Sequence, residues 1–256
     1  MSDKVDRIDK RLDKARMRIK RSEDRQVIES VFDTKTLLIL YNLFNKKILD
    51  EVNGVISTGK EANVYWGVQP DGTDVAIKIY RISTFNFKRI IVYLEGDPRF
   101  SRIPRARSGL IAAWASKEFK NLLRAETAGV RVPHPIHVQR NILVMEFIGE
   151  EGIPAPTMQQ QEPENPEPTR TTILQAISTL YHDANLVHAD LSEYNIMLWK
   201  EPVIIDVSQA VVLDHPHSEM FFERDIRNIL AYFDDFDIPK LDLAETITAI
   251  RQGEYK

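Results

Sequence analysis

The apolar positions of this chain change period along its length. Val5, Ile8, Leu12, Ala15 and Ile19 recur at spacings of three and four, which predicts an amphipathic helix over 4–22 with a basic outer face. A second helix is predicted over Thr34–Asn45, with Thr34 as its cap and Leu37, Leu38, Leu40, Tyr41 and Phe44 on its apolar side. Residues 1–47 thus read as a helical extension preceding a different kind of pattern. From Ile48 the period shortens. Val52–Ser57, Ala62–Val68 and Asp74–Tyr80 are β-rich runs, with Asp71-Gly72 as a hairpin signal, and together they predict an antiparallel meander. Residues 83–108 lack periodicity and hold the breakers Gly96, Pro98 and Pro104, with Gly109 adjoining, so they read as a mobile loop with some helix.

A helix is predicted over Ala113–Ala128, stopped by Gly129 with Pro133 beyond. Strands are predicted next at His137–Gln139 and Ile142–Phe147, around Arg140-Asn141. Pro154, Pro156, Pro163, Pro166 and Pro168 mark 149–168 as an exposed linker or insert that divides two lobes. After it come a helix (Thr172–Asp183), a polar loop (His188–Asn195) and short strands (Ile196–Leu198, Val203–Asp206). Helices at Ser218–Phe233 and Leu241–Gln252 complete the pattern, and there are no internal repeats.

Composition narrows the chemistry. Apolar residues at 43% and charged residues at 28% are ordinary for a globular protein of 256 residues. The absence of cysteine excludes disulfides, thiolate nucleophiles and cysteine-ligated zinc, and agrees with a reducing cytoplasm. No run approaches the roughly 20 apolar residues of a membrane span, and Met1-Ser2-Asp3-Lys4 opens no signal-peptide core, so a soluble cytoplasmic protein is expected. The net charge of −4 is unevenly spread: residues 1–26 carry ten bases against six acids, 81–107 seven against two, and 206–256 five against eleven. Two basic segments on an acidic body are either solvated faces or a footprint for RNA phosphates.

Three stretches carry chemistry. Ser57-Thr58-Gly59-Lys60-Glu61 lies between two predicted strands, where a tight turn is either a plain hairpin or a cover of backbone N–H groups over phosphates. Gly54 to Lys60 also matches a P-loop up to its lysine, but Glu61 stands where the metal-binding hydroxyl belongs and the sequence beyond is strand-like. Val75-Ala76-Ile77-Lys78 sets an ammonium among β-branched residues; it either snorkels to water or pairs with anions, with Glu118 and more weakly Glu126 as carboxylate partners. His188-Ala189-Asp190-Leu191-Ser192-Glu193-Tyr194-Asn195, succeeded by Val203-Ile204-Ile205-Asp206, spaces three oxygen-bearing side chains 5 and 11 residues apart. That suits phosphoryl transfer: Asp190 takes the proton of the attacking hydroxyl while Asn195 and Asp206 ligate Mg2+. Either half alone would also fit a capped turn. His134 and His137, and His215 and His217, flank prolines without a third ligand and read as surface histidines.

These motifs, with Ala76-Ile77-Lys78-Ile79-Tyr80 and Ile205-Asp206-Val207-Ser208-Gln209-Ala210, resemble the RIO family of atypical serine/threonine protein kinases, specifically its first subfamily, over roughly 48–256. The resemblance implies an α+β, two-lobed protein-kinase-like fold: N-terminal helices, an antiparallel-sheet N-lobe over 48–148 and a reduced, mainly helical C-lobe over 149–256. It implies ATP and Mg2+ (or Mn2+) as cofactors. Ser57, Thr58, Gly59, Lys60 and Glu61 would cover the phosphates, Lys78 would contact them and Glu118 would hold Lys78. Met145-Glu146-Phe147-Ile148 resembles the hinge, where the backbone of Glu146 and Ile148 would bond the adenine. Asp190 would be the catalytic carboxylate, Asn195 and Asp206 the metal ligands, and Asp206 a site of transient phosphorylation.

The resemblance further implies a part in small ribosomal subunit maturation, with the pre-ribosomal subunit and its RNA as partners; Ser83, Thr84, Ser101 and Ser108 lie in the basic loop near the expected site, where one of them is expected to accept phosphate in cis. The chain departs from ordinary protein kinases. His188-Ala189-Asp190 replaces His-Arg-Asp, Ser192 takes the catalytic-loop lysine position, Asp206-Val207-Ser208 replaces Asp-Phe-Gly, and no Ala-Pro-Glu comes after it. The activation segment and peptide-binding helices are expected to be missing, which leaves phosphorylation of peptides in trans in doubt. Two alternatives stand beside this reading: a small-molecule kinase of the aminoglycoside phosphotransferase type, and a non-catalytic ribosome-assembly factor.

Overall fold

The computed structural model describes residues 32–81, 87–100, 103–104 and 106–255. The helix expected over 4–22 and the candidate acceptors Ser83, Thr84 and Ser101 lie outside them. The chain divides into two compact units, whose described parts are 32–81, 106–116 and 135–154 for the first and 87–100, 103–104, 117–134 and 155–255 for the second.

The first unit begins with α1 (Thr34–Asn45). Its cap is Asp33, not the expected Thr34: the Asp33 backbone is extended and its carboxylate accepts from Thr36 N at 2.7 Å. A carboxylate one residue earlier satisfies an orphan N–H and meets the positive end of the helix. The meander is β1 (Glu51–Thr58), β2 (Ala62–Val68) and β3 (Asp74–Tyr80), all antiparallel. Gly72 closes the β2–β3 turn at φ +88°, a conformation that favours glycine. β4 (Pro135–Gln139) and β5 (Ile142–Glu146) complete a five-stranded sheet of order β1-β2-β3-β5-β4. Alternation along β2 points Asn63, Tyr65 and Gly67 inward. Leu37, Leu40, Leu43 and Phe44 of α1 enter the same cluster as Val52, Tyr65, Val75, Ile77 and Val144, so this helix is part of the sheet's core. Buried Asn141 ties the two layers, donating to Thr36 Oγ1 and Tyr80 O at 3.1 Å each. A short hairpin, β6 (Gly149–Glu150) with β7 (Ile153–Pro154), ends the unit.

The second unit contains α2 (Phe87–Leu94), a helix within the stretch expected to be loop with some helix, with Ile90, Tyr93 and Leu94 buried. α3 (Arg107–Thr127) starts six residues before the expected Ala113; its residues 107–116 group with the first unit and 117–127 with the second. Gly109 sits in the first turn, and the buried Leu110, Ile111, Trp114 and Ala115 outweigh its low propensity. Gly129 does stop this helix, at φ +93°.

α4 (Pro166–His182) also starts early. Pro166 and Pro168 carry the signature of a linker, but in a first turn they lack only N–H groups that have no intrahelical partner. The stretch before it is not wholly exposed: Ala155 and Met158 are buried, and Met158 N donates to Ile196 O at 2.9 Å. Then come β8 (Leu186–Val187), a 3-10 turn (Glu193–Asn195), the hairpin of β9 (Ile196–Trp199) and β10 (Glu201–Ile204), and β11 (Val211–Val212), which pairs with β8. Asp206 lies beyond β10, not in it, at φ +55°. α5 (Ser218–Phe233) and α6 (Leu243–Gln252) pack with α4. Asp242 caps α6 by accepting from Glu245 N at 3.0 Å. No helix among the described residues is long and apolar enough to cross a membrane.

The shared core makes α1 a stability element. Leu40→Ala at a fully buried position should lose about 2–5 kcal/mol in urea denaturation, whereas exposed Asn42→Ala should stay within about 0.5 kcal/mol. Equal small losses would show that α1 is not part of the folded core.

Candidate functional site

The loop that carries Asp190 is built from its neighbours outward. Ala189 takes a left-handed conformation at φ +64°, and both it and Leu191 are buried. Asp225, in the middle of α5, accepts from Ala189 N at 2.7 Å and from Leu191 N at 3.0 Å. Arg224 donates to Ala189 O, and Asn228 donates to Leu191 O at 3.0 Å. One face of one helix therefore grips the N–H and C=O of both residues flanking Asp190. Burial pushes the Asp225 carboxyl up to about 7, against the two N–H donors and the Arg224 guanidinium, with Asp190 adding to the rise.

The same loop gathers the other two site residues. Asn195 Nδ2 donates to Asp190 O at 2.8 Å, and Ile205 N donates to Asn195 O at 2.9 Å. His188 Nε2 meets Ile205 O at 3.0 Å. Asp206 is the next residue, with Oδ1 accepting from Ser208 Oγ at 2.7 Å. Gln209 Nε2 donates to Asp190 Oδ2 at 2.5 Å. Asp190, Asn195 and Asp206 are thus linked within a few hydrogen bonds. The amide nitrogen of Asn195 is committed to Asp190, which fixes its amide oxygen as the hard donor, and Asp206 adds a carboxylate: a set suited to Mg2+. Among the described residues no three His, Cys, Asp or Glu side chains cluster as a metal site.

The second half of α3 holds the segment after Asp206. Lys117, fully buried, donates to Ser208 O at 2.9 Å and to Ala210 O. Asn121 donates to Val207 O at 2.8 Å and Ala210 O at 3.1 Å, and its own oxygen accepts from Arg99 Nη1 at 2.7 Å. Burial holds Lys117 well below the usual lysine range; Arg99 pushes the same way and Asp97 opposes. Burial would raise Asp97, but the hydrogen bonds and charge of Arg99, 2.7 Å away, keep it below the usual carboxylate range. His215, expected at the surface, is buried; its Nδ1 accepts from His217 N at 3.1 Å, which leaves Nε2 protonated to donate to Val92 O at 3.1 Å.

The remaining candidates lie on the first unit's sheet. Ser57 and Thr58 end β1 and are exposed, as are Gly59 and Lys60. Gly59 N donates to Ala62 O at 2.9 Å, and a Cβ at Gly59 would lie 2.9 Å from that oxygen, so the tight turn admits glycine alone without a shift. Glu61 O accepts from Arg81 N at 2.9 Å. Lys78 is buried on β3 between Val64 and Leu143, with Nζ 5.4 Å from the Tyr80 ring centre, so it does not snorkel to water. Met145 and Glu146 end β5 opposite Ala76 and Val75, and Ile148 is buried just beyond. Glu118 is fully buried on α3. Sequence reasoning gives no role to Asp225, Lys117, Asn121 or Gln209. Charges set within apolar helix faces, as at Lys117-Glu118 and Asp225, are the one signal that could have found two of them.

Asp225→Asn keeps the shape but turns an N–H2 toward an N–H donor, and should lose about 1–3 kcal/mol. The wild-type carboxyl holds its proton more tightly folded than unfolded, so its contribution is greatest below about pH 4 and is lost as pH rises through about 7. The excess stability of wild type over Asp225→Asn, measured from urea midpoints, should therefore shrink between pH 5 and pH 8. A constant or growing gap would contradict the burial argument.

Comparison with known proteins gives the family. A family model described as the RIO domain matches residues 63–246. The RIO-type serine/threonine-protein kinase Rio1 of Haloferax volcanii is 45% identical over 236 residues, covering 90% of this chain and 81% of that protein. Serine/threonine-protein kinase RIO1 of Homo sapiens is 41% identical over 224 residues, 84% of this chain but 39% of that longer protein. This chain likewise spans 41% and 48% of its relatives from Dictyostelium discoideum and Caenorhabditis elegans. The crystal structure of the Rio2 kinase-ADP/Mg2+-phosphoaspartate complex from Chaetomium thermophilum shares the fold, with a TM-score of 0.63 at 24% identity over 83% of this chain and 65% of that one. The chain belongs to the RIO family of atypical serine/threonine protein kinases.

Proposed function

We propose that this chain binds ATP with Mg2+ (or Mn2+) and transfers the γ-phosphoryl group to a hydroxyl. The observation that carries the reading is the linked set of Asp190, Asn195 and Asp206, with Asp190 fixed on both flanks by α5 and bonded at its carboxylate by Gln209. In this reading Asp190 accepts the proton of the attacking hydroxyl or water, the new P–O bond forms as the bond to the β-phosphate oxygen breaks, and ADP leaves. Asn195 and Asp206 hold the metal, which neutralises the developing phosphate charge. Lys78, paired with Glu118, contacts the phosphates; residues 57–61 cover them; and the backbone of Glu146 and Ile148, next to Met145, bonds the adenine.

The working output is either serine/threonine phosphorylation or an ATPase cycle in which the Asp206 carboxylate itself takes the phosphoryl group. Ser108, exposed in the first turn of α3, is the one self-phosphorylation candidate among the described residues. Family membership sets the small-molecule kinase aside. It also supports work on the immature small ribosomal subunit, where the basic stretches 1–26 and 81–107 suit RNA phosphates.

Asp190→Ala should lower the rate of ATP turnover by roughly 100-fold or more with Mg2+ present, and Lys78→Met and Asp206→Asn should do likewise; turnover equal to wild type in Asp190→Ala would remove the enzyme reading. Affinity for small-subunit RNA should fall with salt, by a slope of about −0.7 in log–log form for each single-strand phosphate contact. A flat dependence would exclude the RNA partner.

A further inference from the structure

The Asp190 carboxylate has a neighbour to which the functional reading gives no role of its own. Gln209 is 8% exposed, and its Nε2 donates to Asp190 Oδ2 at 2.5 Å. A buried amide at that distance from a carboxylate makes a charge-assisted hydrogen bond, which fixes direction as well as distance. The two peptide carbonyls on either side of Gln209 are both held by one atom: Lys117 Nζ donates to Ser208 O and to Ala210 O. Asn121 Nδ2 adds bonds to Val207 O and Ala210 O. The backbone of Gln209 is therefore anchored on each flank to α3, and its side chain has little freedom to leave Asp190.

Ser192, two residues after Asp190, stands where ordinary protein kinases carry the catalytic-loop lysine. A seryl hydroxyl is too short to replace that ammonium's reach. We propose that Gln209 is a positioning residue for phosphoryl transfer: anchored by Lys117, it supplies from the segment after Asp206 the donor that orients the Asp190 carboxylate. The inference rests on Asp190 being the carboxylate that receives the acceptor's proton.

With Oδ2 held by Gln209 and the main chain held by Asp225, Arg224 and Asn228, one direction of approach to the carboxylate is fixed. A carboxylate free to rotate about χ2 would spend most of its time away from the acceptor hydroxyl. A neutral amide also orients the carboxylate without the full opposing charge of an ammonium beside the proton being taken up. The effect therefore falls on the chemical step and not on ATP binding.

The experiment compares Gln209→Met, which keeps volume and loses the donor, with Gln209→Glu, which keeps shape and brings a second carboxylate. Steady-state ATP turnover and self-phosphorylation would be measured on the full chain with Mg2+, alongside melting temperature. Gln209→Met should lower kcat about tenfold to a hundredfold, with KM for ATP within about threefold of wild type and the melting temperature little changed. Gln209→Glu should lose at least as much. Gln209→Asn, with its amide one methylene short, serves if the methionine variant does not fold, and should also lose kcat at unchanged KM.

Wild-type kcat in these variants would overturn the proposal. So would a loss that appears in KM or only in step with a lower melting temperature, because that pattern marks a packing role. Asp190→Asn separates the two levels of the argument. If it turns over ATP like wild type, the phosphotransferase reading has failed; if it is inactive while the Gln209 variants are normal, only the positioning role has failed.

Discussion

A buried carboxylate in the middle of a helix sets the terms for the rest of this molecule. Asp225 accepts the N–H groups of Ala189 and Leu191, and its neighbours Arg224 and Asn228 take the two carbonyls of the same residues. A loop residue at positive φ, as Ala189 is, needs its surroundings to over-determine it, and four hydrogen bonds from one helix face do so. Burying that carboxylate is costly, which shows in its raised pKa, and the cost is tolerated because both oxygens are satisfied. The consequence is local: the one residue between the two gripped ones is Asp190.

The segment after Asp206 is held by a different device with the same logic. Its carbonyls at Val207, Ser208 and Ala210 converge on Lys117 and Asn121, one helical turn apart on α3, and Arg99 secures Asn121 through its amide oxygen. Carbonyls that no strand ladder satisfies are taken up by side chains instead. This leaves Asp206, Ser208 and Gln209 with defined directions although none of them lies in a strand or helix. Loops of this kind carry chemistry because rigid elements on either side remove their freedom.

How much of this is legible in the sequence depends on the range of each interaction. β2, β3, α1 and α5 are readable to the residue, because alternation, helical spacing and turn residues are local signals. Where a local rule has exceptions the bounds slip. Pro166 and Pro168 read as linker but open α4, and Gly109 reads as a breaker but sits in the first turn of α3. Lys78, Asp190, Asn195 and Asp206 stand out because polar groups interrupt apolar runs at spacings that phosphate chemistry uses. The residues that hold them show only as charges within apolar helix faces: Asp225 acts across 34 to 36 positions and Lys117 across 91 to 93, and nothing in one sequence names their partners.

Lys117 and Glu118 sharpen that point. They are consecutive on α3 and both fully buried, so one helix turn carries two ionisable groups into the interior side by side. Adjacent helical residues point about 100° apart, so the pair cannot serve the same partner. Lys117 is met by the carbonyls after Asp206. Burial of a single charge on a helix is hard to sustain without an answering group. Two neighbouring ones, facing different ways, each need an answering group of their own, and for Lys117 that group is the pair of carbonyls beyond Asp206, so one face of α3 is given over to fixing that loop.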